Sequence, residues 1–494
     1  MDSNIKQLTD TLLNGEISRR QFVIRALGLG LSVSVAADLL AACESGSQPA
    51  PAQKLSGNVQ ILVGYFGTGN SPAQLPVQQA LADAFTTKHP DVKIEFLRLP
   101  FAEARTKLIT LIGAGTPPDL VLPTGIYGAS LVLDKGVWLD LNKYFHRDGV
   151  SLDQFAPEVK FAVNAPNYYG QGSSAIIGVP VGIHDHVLAY NADLFQKAGV
   201  APPPSNWDDS SWTYEGKFLD AARALTLDKN GKHPGDSGFD PANTIQFGLG
   251  HYFRESVWIA SGGRYYDAAT KKAQLDTPES VQGMQLASDL VNKYKVQPSA
   301  TQVAQLGAGA EQGNEEQFAW KSGKLAMIDM CSCDIKGGFG SASFDWRAAA
   351  VPAGKKRRFG FLNLDIGAIV KSSKNQDTAW EVLKFFAIDP ENERKLAYDS
   401  YGAFPPLKQN TDAFVDGVKR DLPKVDPTVW RNGIPSSGSD NEAWFPAFAQ
   451  VNDLVGPAFD KIMAGAAAEP TLKDLQSQAQ AKIDDWFQHN KLPS

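Results

Sequence analysis

The sequence contains little cysteine, no long apolar run and no excess of basic residues. Three of its 494 residues are cysteine, so a disulfide framework cannot organise the fold. The charge-free run Ala26–Ala37 has twelve residues, whereas a membrane-spanning helix needs about 20. Lys and Arg number 47 against 54 Asp and Glu, and the resulting net charge of −7 argues against nucleic acid as a partner.

The sequence also lacks the common catalytic and cofactor-binding motifs. It has no G-x-S-x-G, no H-E-x-x-H, no P-loop and no G-x-G-x-x-G fingerprint. We therefore expect no catalytic residues and no cofactor. The paired carboxylates of a glycosidase need not be close in the chain, so an exported glycan-acting enzyme is kept as an alternative.

The amino-terminal segment is typical of an exported, lipid-anchored protein. Arg19 and Arg20 form a twin-arginine pattern ahead of a short apolar segment, which indicates an export signal. The small residues before Cys43 are typical of a lipoprotein cleavage site, so residues 1–42 are expected to be removed and Cys43 to carry the lipid that anchors the protein outside the cytoplasm. An ordinary signal peptide with an incidental cysteine is the alternative. Residues 43–57 are rich in Ser, Gln, Pro, Ala and Gly and are expected to form a flexible tether.

Strand and helix patterns alternate after the tether, and 494 residues are enough for two or more domains. Val59–Val63, Val92–Phe96 and Leu120–Leu122 read as strands separated by helical patterns. This order predicts a parallel sheet, and ligands of such sheets bind beyond the carboxyl ends of the strands. The residues expected at those ends are Tyr65, Phe66, Thr124 and Tyr127.

A polar triplet interrupts two apolar, strand-forming runs further along the chain. Val179–Ile183 and Val187–Tyr190 flank His184, Asp185 and His186. A strand with polar residues at its middle is the pattern expected where a chain crosses between two domains past a ligand-binding cleft.

A short helix is predicted directly after the triplet. Asn191 is a candidate N-cap, and Gly199 is a candidate C-terminal stop. The spacing predicts that Leu194, Phe195 and Ala198 lie on the buried face of this helix.

An ordered set of residues extends through this crossing and into a Pro-rich loop. It consists of Gly178, Pro180, Tyr190, Asn191, Leu194, Phe195, Ala198, Gly199, Pro203, Trp207 and Asp208. The set resembles the signature of the sugar-type extracellular solute-binding proteins that serve ABC importers, and the resemblance covers nearly all of residues 58–494. It implies an α/β fold of the two-lobed periplasmic-binding-protein class (type II), in which each lobe is a sheet flanked by helices and three hinge crossings join them. The implied N-terminal lobe comprises residues 58–182 and 365–404, and the C-terminal lobe comprises residues 183–364 and 405–494.

The resemblance also implies a function. It implies a monomer outside the cytoplasm that captures a carbohydrate between two closing lobes and delivers it to the transmembrane subunits of an ABC permease. A sugar has hydroxyl groups around its edge and apolar faces above and below, so aromatic and short polar side chains are the expected contacts. The expected ligand-binding residues are Tyr65, Phe66, Thr124, Tyr127, His184, Asp185, Tyr252, Asp329, Ser332, Asn363, Tyr401 and Trp444. A polyamine, which would suit Asp185 and Asp329, and a phosphate ester, which would favour Arg or Lys, are the alternative solutes.

Two further features bear on metals and redox chemistry. His184, Asp185 and His186 are an alternative metal site, because alternate residues of a strand share one face. No metal is expected, since zinc needs three or four protein ligands and no other His or Cys cluster is visible in the sequence. Cys331 and Cys333 would be near the upper distance limit for a disulfide in an extended strand, so free thiols are expected there.

Overall fold

The computed structural model describes most of the chain as a succession of helices and strands. It describes residues 17–29, 55–65, 74–125, 136–159, 175–250, 254–310, 314–336, 338–439 and 445–489, together with residues 8, 11 and 163. The alternation of helices and strands in these residues is that of an α/β fold.

The strands of the described residues are labelled in chain order. They are β1 (Gly57–Tyr65), β2 (Val92–Pro100), β3 (Leu120–Gly125), β4 (Val179–Asn191), β5 (Leu227–Asp228), β6 (Thr244–Gln246), β7 (Tyr266–Asp267), β8 (Lys272–Ala273), β9 (Met327–Cys331), β10 (Trp346–Ala349), β11 (Phe361–Ile369) and β12 (Gly438–Ser439). The α-helices are Arg19–Gly28, Gln74–Lys88, Phe101–Gly113, Asn142–Asp148, Ala192–Ala198, Lys217–Ala224, Arg254–Ala260, Pro278–Asn292, Ala300–Leu306, Glu315–Lys321, Gln376–Ala387, Pro390–Arg394, Ala413–Asp421, Thr428–Gly433, Phe448–Met463 and Ala468–His489.

The first part of the fold is the predicted parallel sheet. β1 pairs in parallel with β2 on one side and with β3 on the other, and helices Gln74–Lys88 and Phe101–Gly113 are the crossover connections between them. The apolar side chains of β1, including Val59 and Ile61, are buried against Phe85 and its neighbours. The sequence-based prediction of three parallel strands is therefore confirmed.

Strand β4 belongs to both halves of the molecule. Its first half pairs antiparallel with β11, and its second half pairs antiparallel with β9 and β10. A strand of 13 residues is about 43 Å long, which is enough to pass from one lobe into the next. β11 pairs with β3 as well. Among the described residues, eight strands therefore form one hydrogen-bonded sheet that continues from one lobe into the other.

The helix after β4 begins and ends as predicted, but one of its predicted buried residues is exposed. The Leu194 backbone N–H donates to the Asn191 side-chain oxygen over 3.1 Å, and Gly199 closes the helix in a left-handed conformation with φ of 65°. Phe195 is buried and Leu194 is half-buried. The prediction is wrong for Ala198, the last residue of the helix, which is exposed.

A third crossing runs beside β4. Phe404 exchanges backbone hydrogen bonds of 2.8 and 3.1 Å with Ile183, so this segment adds a short bridge to the middle of β4. The approach is close, since a Cβ added to Gly182 would lie 2.9 Å from the Cβ of Ala403. β4, β11 and the segment around Phe404 are thus three adjacent crossings between the lobes.

The second lobe is mainly helical outside β9 and β10. Trp258 is fully buried and packs edge-on against Phe459 with ring centroids 5.3 Å apart. The Ser288 hydroxyl donates to the Ile462 carbonyl oxygen over 2.9 Å, which joins helices Pro278–Asn292 and Phe448–Met463. Among the helices that the structure describes, none combines the length and the apolar character needed to cross a bilayer.

Candidate functional site

A group of buried and half-buried polar side chains lies where the three crossings meet. We call it the histidine cluster, and it consists of His184, His186, Asp329, Ser332, Asn363 and Asp365. The two histidines are alternate residues of β4 and share one face of the strand. Asn363 lies directly opposite His184 on β11, and Cys331 lies opposite His186 on β9. The cluster therefore brings together side chains from β4, β9, β11 and the turn that follows β9.

His184 contacts a carboxylate with one ring nitrogen and a hydroxyl with the other. Its Nε2 lies 3.2 Å from Asp365 Oδ2, and its Nδ1 lies 3.3 Å from Ser332 Oγ. An ionised carboxylate can only accept hydrogen bonds, so Nε2 carries the proton and Nδ1 accepts one from the Ser332 hydroxyl. The network thus fixes the tautomer of a histidine that is only 5% exposed.

His186 has an equivalent set of partners. Its Nδ1 lies 3.0 Å from Asp329 Oδ2, and its Nε2 lies 3.0 Å from the Asn363 amide nitrogen. Burial by itself would lower the pKa of His186, but the adjacent Asp329 carboxylate outweighs burial and the pKa is raised. Because an amide offers both a donor and an acceptor, Asn363 can serve this ring in either protonation state.

Asp185 points away from the histidine cluster. As the residue between the two histidines, it lies on the opposite face of β4, where its Oδ1 accepts a hydrogen bond from the Ser437 hydroxyl. Among the described residues, its Oδ2 has no hydrogen-bond partner although it is buried. Burial raises the pKa of Asp185 well above its ordinary value, which favours a neutral carboxylic acid at this position.

Tyr401 anchors the third crossing to the first lobe. Its hydroxyl accepts a hydrogen bond of 2.9 Å from the Gln78 amide, and the Gln78 oxygen accepts one of 2.9 Å from Arg98. Tyr401 is 3% exposed, and burial raises the pKa of its hydroxyl above its ordinary value. This chain joins the third crossing to helix Gln74–Lys88 and to β2.

The end of β3 approaches the cluster through its backbone. Thr124 pairs with Ile366 and Gly125 pairs with Asp365, so the carboxyl end of β3 lies directly beside the strand that carries the cluster carboxylate. Tyr65 pairs with Pro100 at the end of β1. The remaining predicted positions, Phe66, Tyr127, Tyr252, Trp444 and the predicted lipidation site Cys43, lie outside the described residues. Arg19 and Arg20 begin helix Arg19–Gly28.

The two cysteines next to the cluster are bonded to each other, so the prediction of free thiols is wrong. Cys331 and Cys333 form a disulfide with a Cα–Cα distance of 5.1 Å, which is inside the usual range. The prediction assumed an extended strand through both residues. Instead β9 ends at Cys331 and a 3₁₀ turn begins at Ser332, which shortens the distance between the two Cα atoms.

The residues that could hold a metal are also different from those suggested by the sequence. His184, Asp185 and His186 do not face one point, because Asp185 lies on the other face of β4. Within the described residues, the ligand atoms that approach one another belong to His184, Cys331 and Cys333, which lie within 4.8 Å of one another. The polar triplet is therefore not a ligand set by itself.

Several residues of the site were not found from the sequence. Asp365 could have been found, because it is two residues after Asn363 and alternate residues of a strand share a face. Gln78 and Ser437 gave no such signal, since a buried Gln in a helix and a Ser in a loop have no distinctive spacing.

Two α/β lobes joined by three adjacent crossings, with polar side chains gathered at the crossings, define the class of two-lobed periplasmic binding proteins. The chain belongs to the bacterial extracellular solute-binding protein family, whose model matches residues 69–392. Membership of this extracellular family places the protein outside the cytoplasm.

Individual relatives agree with this assignment. A binding protein of Brucella abortus is 25% identical over 436 residues, which are 86% of this chain and 93% of that protein. The maltotriose-binding protein of Pyrococcus abyssi is 25% identical over 348 residues, covering 68% of this chain and 65% of that protein. The structure of an ABC substrate-binding protein from Listeria monocytogenes in complex with cycloalternan superposes with a TM-score of 0.70 at 18% identity, over 87% of this chain and 99% of that chain. The last similarity concerns the fold.

Proposed function

We propose that this protein captures a neutral carbohydrate between its two lobes and delivers it to the permease of an ABC importer. The observation that carries the proposal is the histidine cluster, which gathers imidazole, carboxylate, hydroxyl and amide groups where β4, β9 and β11 meet. Such groups can both donate to and accept from sugar hydroxyl groups. A binding protein needs no turnover, so the protein is proposed not to be an enzyme.

The names of its relatives support a carbohydrate as the solute. Besides the maltotriose-binding relative, a mannitol-binding protein of Pseudomonas aeruginosa is 27% identical over 140 residues. A glycerol-3-phosphate-binding relative is 24% identical over 222 residues, which keeps a phosphate ester as the alternative. A bound phosphate would favour Arg or Lys as contacts, whereas the histidine cluster contains neither.

The lobe boundaries and the ligand contacts are part of the proposal. Residues 58–182 and 365–404 form one closing lobe, and residues 183–364 and 405–494 form the other. The change of partners along β4 supports this division, because β4 leaves β11 and joins β9 close to residue 185. The proposed sugar contacts are Tyr65, Phe66, Thr124, Tyr127, His184, Asp185, Tyr252, Asp329, Ser332, Asn363, Tyr401 and Trp444.

A binding screen with one paired set of variants tests the solute and the site together. Neutral mono- and oligosaccharides, glycerol phosphate and a polyamine are each tested for a rise in melting temperature, because a ligand that binds only the folded state stabilises it. Asn363→Ala is expected to weaken binding of the best sugar about 5- to 150-fold, the equivalent of about 1–3 kcal/mol for a lost buried hydrogen bond. The matched control is Asn230→Ala, an exposed turn residue, which should bind normally.

The screen also separates the alternatives. A melting shift with glycerol phosphate or with the polyamine, but with no sugar, would replace the carbohydrate by the corresponding solute. Cleavage of a bound oligosaccharide would show an exported enzyme. Equal affinity of the Asn363 and Asn230 variants would remove the histidine cluster from the site.

The proposal includes a lipid anchor and a monomeric state. Cleavage before Cys43 and attachment of lipid to its thiol would tether the lobes to the membrane beside the permease. Cys43→Ala should release the protein from the membrane fraction, whereas a variant that stays in that fraction would contradict the anchor. Replacement of Arg19 and Arg20 by lysine should leave precursor in the cytoplasm if export uses the twin-arginine route.

A further inference from the structure

Two sulfur atoms and one imidazole converge beside the middle of β4. Cys331, Cys333 and His184 each offer one ligand atom, and these atoms lie within 4.8 Å of one another. Cys331 and His184 are each 5% exposed, so both donors are shielded from bulk water. Capture of a sugar does not require two sulfur atoms at this place.

We propose that the reduced protein contains a zinc site formed by Cys331, Cys333 and His184, and that the disulfide is the oxidised, metal-free form of the same site. Two thiolates and one imidazole are ligands that zinc prefers, and three protein ligands leave the fourth position for water. The charge of two thiolates balances that of Zn²⁺, which lowers the cost of holding the ion in a buried position.

His184 is oriented for this role by its hydrogen bonds. Asp365 accepts a hydrogen bond from the Nε2–H group, which leaves the lone pair of Nδ1 directed at Ser332, the residue between the two cysteines. Metal-bound histidines commonly donate their other ring N–H to a carboxylate, which fixes the tautomer and makes the ligand more basic. Zinc at Nδ1 would replace the hydrogen bond from the Ser332 hydroxyl.

The distances require only a small rearrangement. Zn–S bonds of about 2.3 Å and a Zn–N bond of about 2.0 Å place tetrahedral ligand atoms roughly 3.5 to 3.8 Å apart. The sulfur atoms must move apart from their bonded contact. The widest separation, between a sulfur and the imidazole nitrogen, is at most 4.8 Å and must contract by at most about 1.3 Å. The 3₁₀ turn already holds the two Cα atoms 5.1 Å apart. Rotation of the two cysteine side chains is therefore sufficient for these shifts.

The chemistry balances with a phosphine as the reductant. The phosphine attacks one sulfur and breaks the S–S bond, and hydrolysis of the adduct gives phosphine oxide and two thiols, with water supplying the oxygen atom and both protons. Zn²⁺ then displaces the two thiol protons, which pass to the buffer. One zinc bound should therefore release two protons.

The test is a cobalt titration of the whole chain, oxidised and reduced, without oxygen. Co²⁺ reports a tetrahedral thiolate site through its charge-transfer and visible absorption. We expect one Co²⁺ per reduced chain, displacement of Co²⁺ by Zn²⁺, and no such absorption with the oxidised protein. Proton release on zinc binding is measured in the same samples, and circular dichroism checks the fold of every variant.

Matched variants distinguish this site from other sulfur and histidine groups. Cys333→Ser should abolish the charge-transfer absorption, and His184→Gln should weaken zinc binding by more than about 100-fold. Asp365→Asn should weaken it about 10- to 100-fold by releasing the orientation of His184. Cys43→Ser and His186→Gln are the controls and should keep the absorption. Folded, reduced protein without the absorption, or an unchanged zinc affinity in His184→Gln, would overturn the proposal.

Discussion

Glu393 is expected to make the stability of this protein fall as the pH rises. Its side chain is fully buried, and it accepts hydrogen bonds of 2.9 Å from the Leu407 backbone N–H and 2.6 Å from the Asn410 amide. These contacts attach helix Pro390–Arg394 to the third crossing. Burial raises the pKa of Glu393 from 4.5 to about 7, although both hydrogen bonds lower it.

The direction of this pH dependence follows from the protonation of Glu393 in the folded and in the unfolded protein. Between pH 4.5 and about 7 the folded protein keeps the Glu393 proton, which the unfolded chain loses. The folded state then binds more protons than the unfolded state, so the free energy of unfolding decreases with rising pH. The contribution is fully present below pH 4.5 and is lost as the pH passes 7. At 1.36 kcal/mol for each pKa unit, the rise in the pKa of Glu393 from 4.5 to about 7 corresponds to about 3 kcal/mol of folding stability.

Glu393→Gln removes this titration without changing the size of the side chain. Denaturant unfolding at several pH values from 4.5 to 8 should show that the wild type loses about 3 kcal/mol relative to the variant across this interval. The variant is expected to be less stable than the wild type at pH 4.5, because its amide nitrogen faces the Asn410 amide. At pH 8 the difference in the free energy of unfolding should be smaller or reversed.

A neighbouring glutamate provides the control. Glu391 is on the same helix but is exposed and paired with Lys395, so Glu391→Gln should not reproduce the effect. If the wild type and Glu393→Gln differ by the same amount at every pH, the buried carboxyl does not change its protonation in this range and the reasoning is refuted.

Two further predictions concern an ion-pair network and closure. Asp148 accepts hydrogen bonds from Arg147, Lys384 and Trp380 over 2.7, 2.6 and 2.7 Å. Burial by itself would raise the pKa of Asp148, but these hydrogen bonds outweigh burial and hold the pKa well below its ordinary value. Asp148→Asn should therefore cost about 1–3 kcal/mol at pH 7, a deficit that shrinks in acid as wild-type Asp148 takes up a proton, whereas the exposed Asp276→Asn should change little. Saturating ligand should reduce the radius of gyration in small-angle scattering, because a ligand that contacts both lobes favours the closed state; an unchanged profile with bound ligand would indicate a rigid module.

Much of the fold could be predicted because its signals are local. The apolar runs of β1 to β3 and the helices between them gave the parallel sheet, and Asn191 and Gly199 marked the ends of a helix. Each of these inferences depends on side chains within a few positions of one another. The ordered residues from Gly178 to Asp208 indicated the protein family in the same way.

Two sequence-based predictions were wrong, one for the pair Cys331 and Cys333 and one for Ala198. Cys331 and Cys333 were expected to stay apart because the strand was assumed to continue, and the 3₁₀ turn at Ser332 brings them together instead. Ala198 was expected to be buried, and it is exposed at the last position of its helix. The end of β9 and the burial of the last helical turn both depend on contacts with the rest of the fold, which local patterns do not contain.

The sequence by itself determined the order of strands and helices, the class of fold and the presence of a polar triplet in a crossing strand. Only the tertiary structure decided what the triplet does. His184 meets Asp365 across 181 positions of the chain and Ser332 across 148, while Asp185 turns to Ser437 on the opposite face. Periodicity and residue preference act over one or two turns of chain, whereas the partners of a buried polar group depend on which distant strands pack together, and so on the fold as a whole.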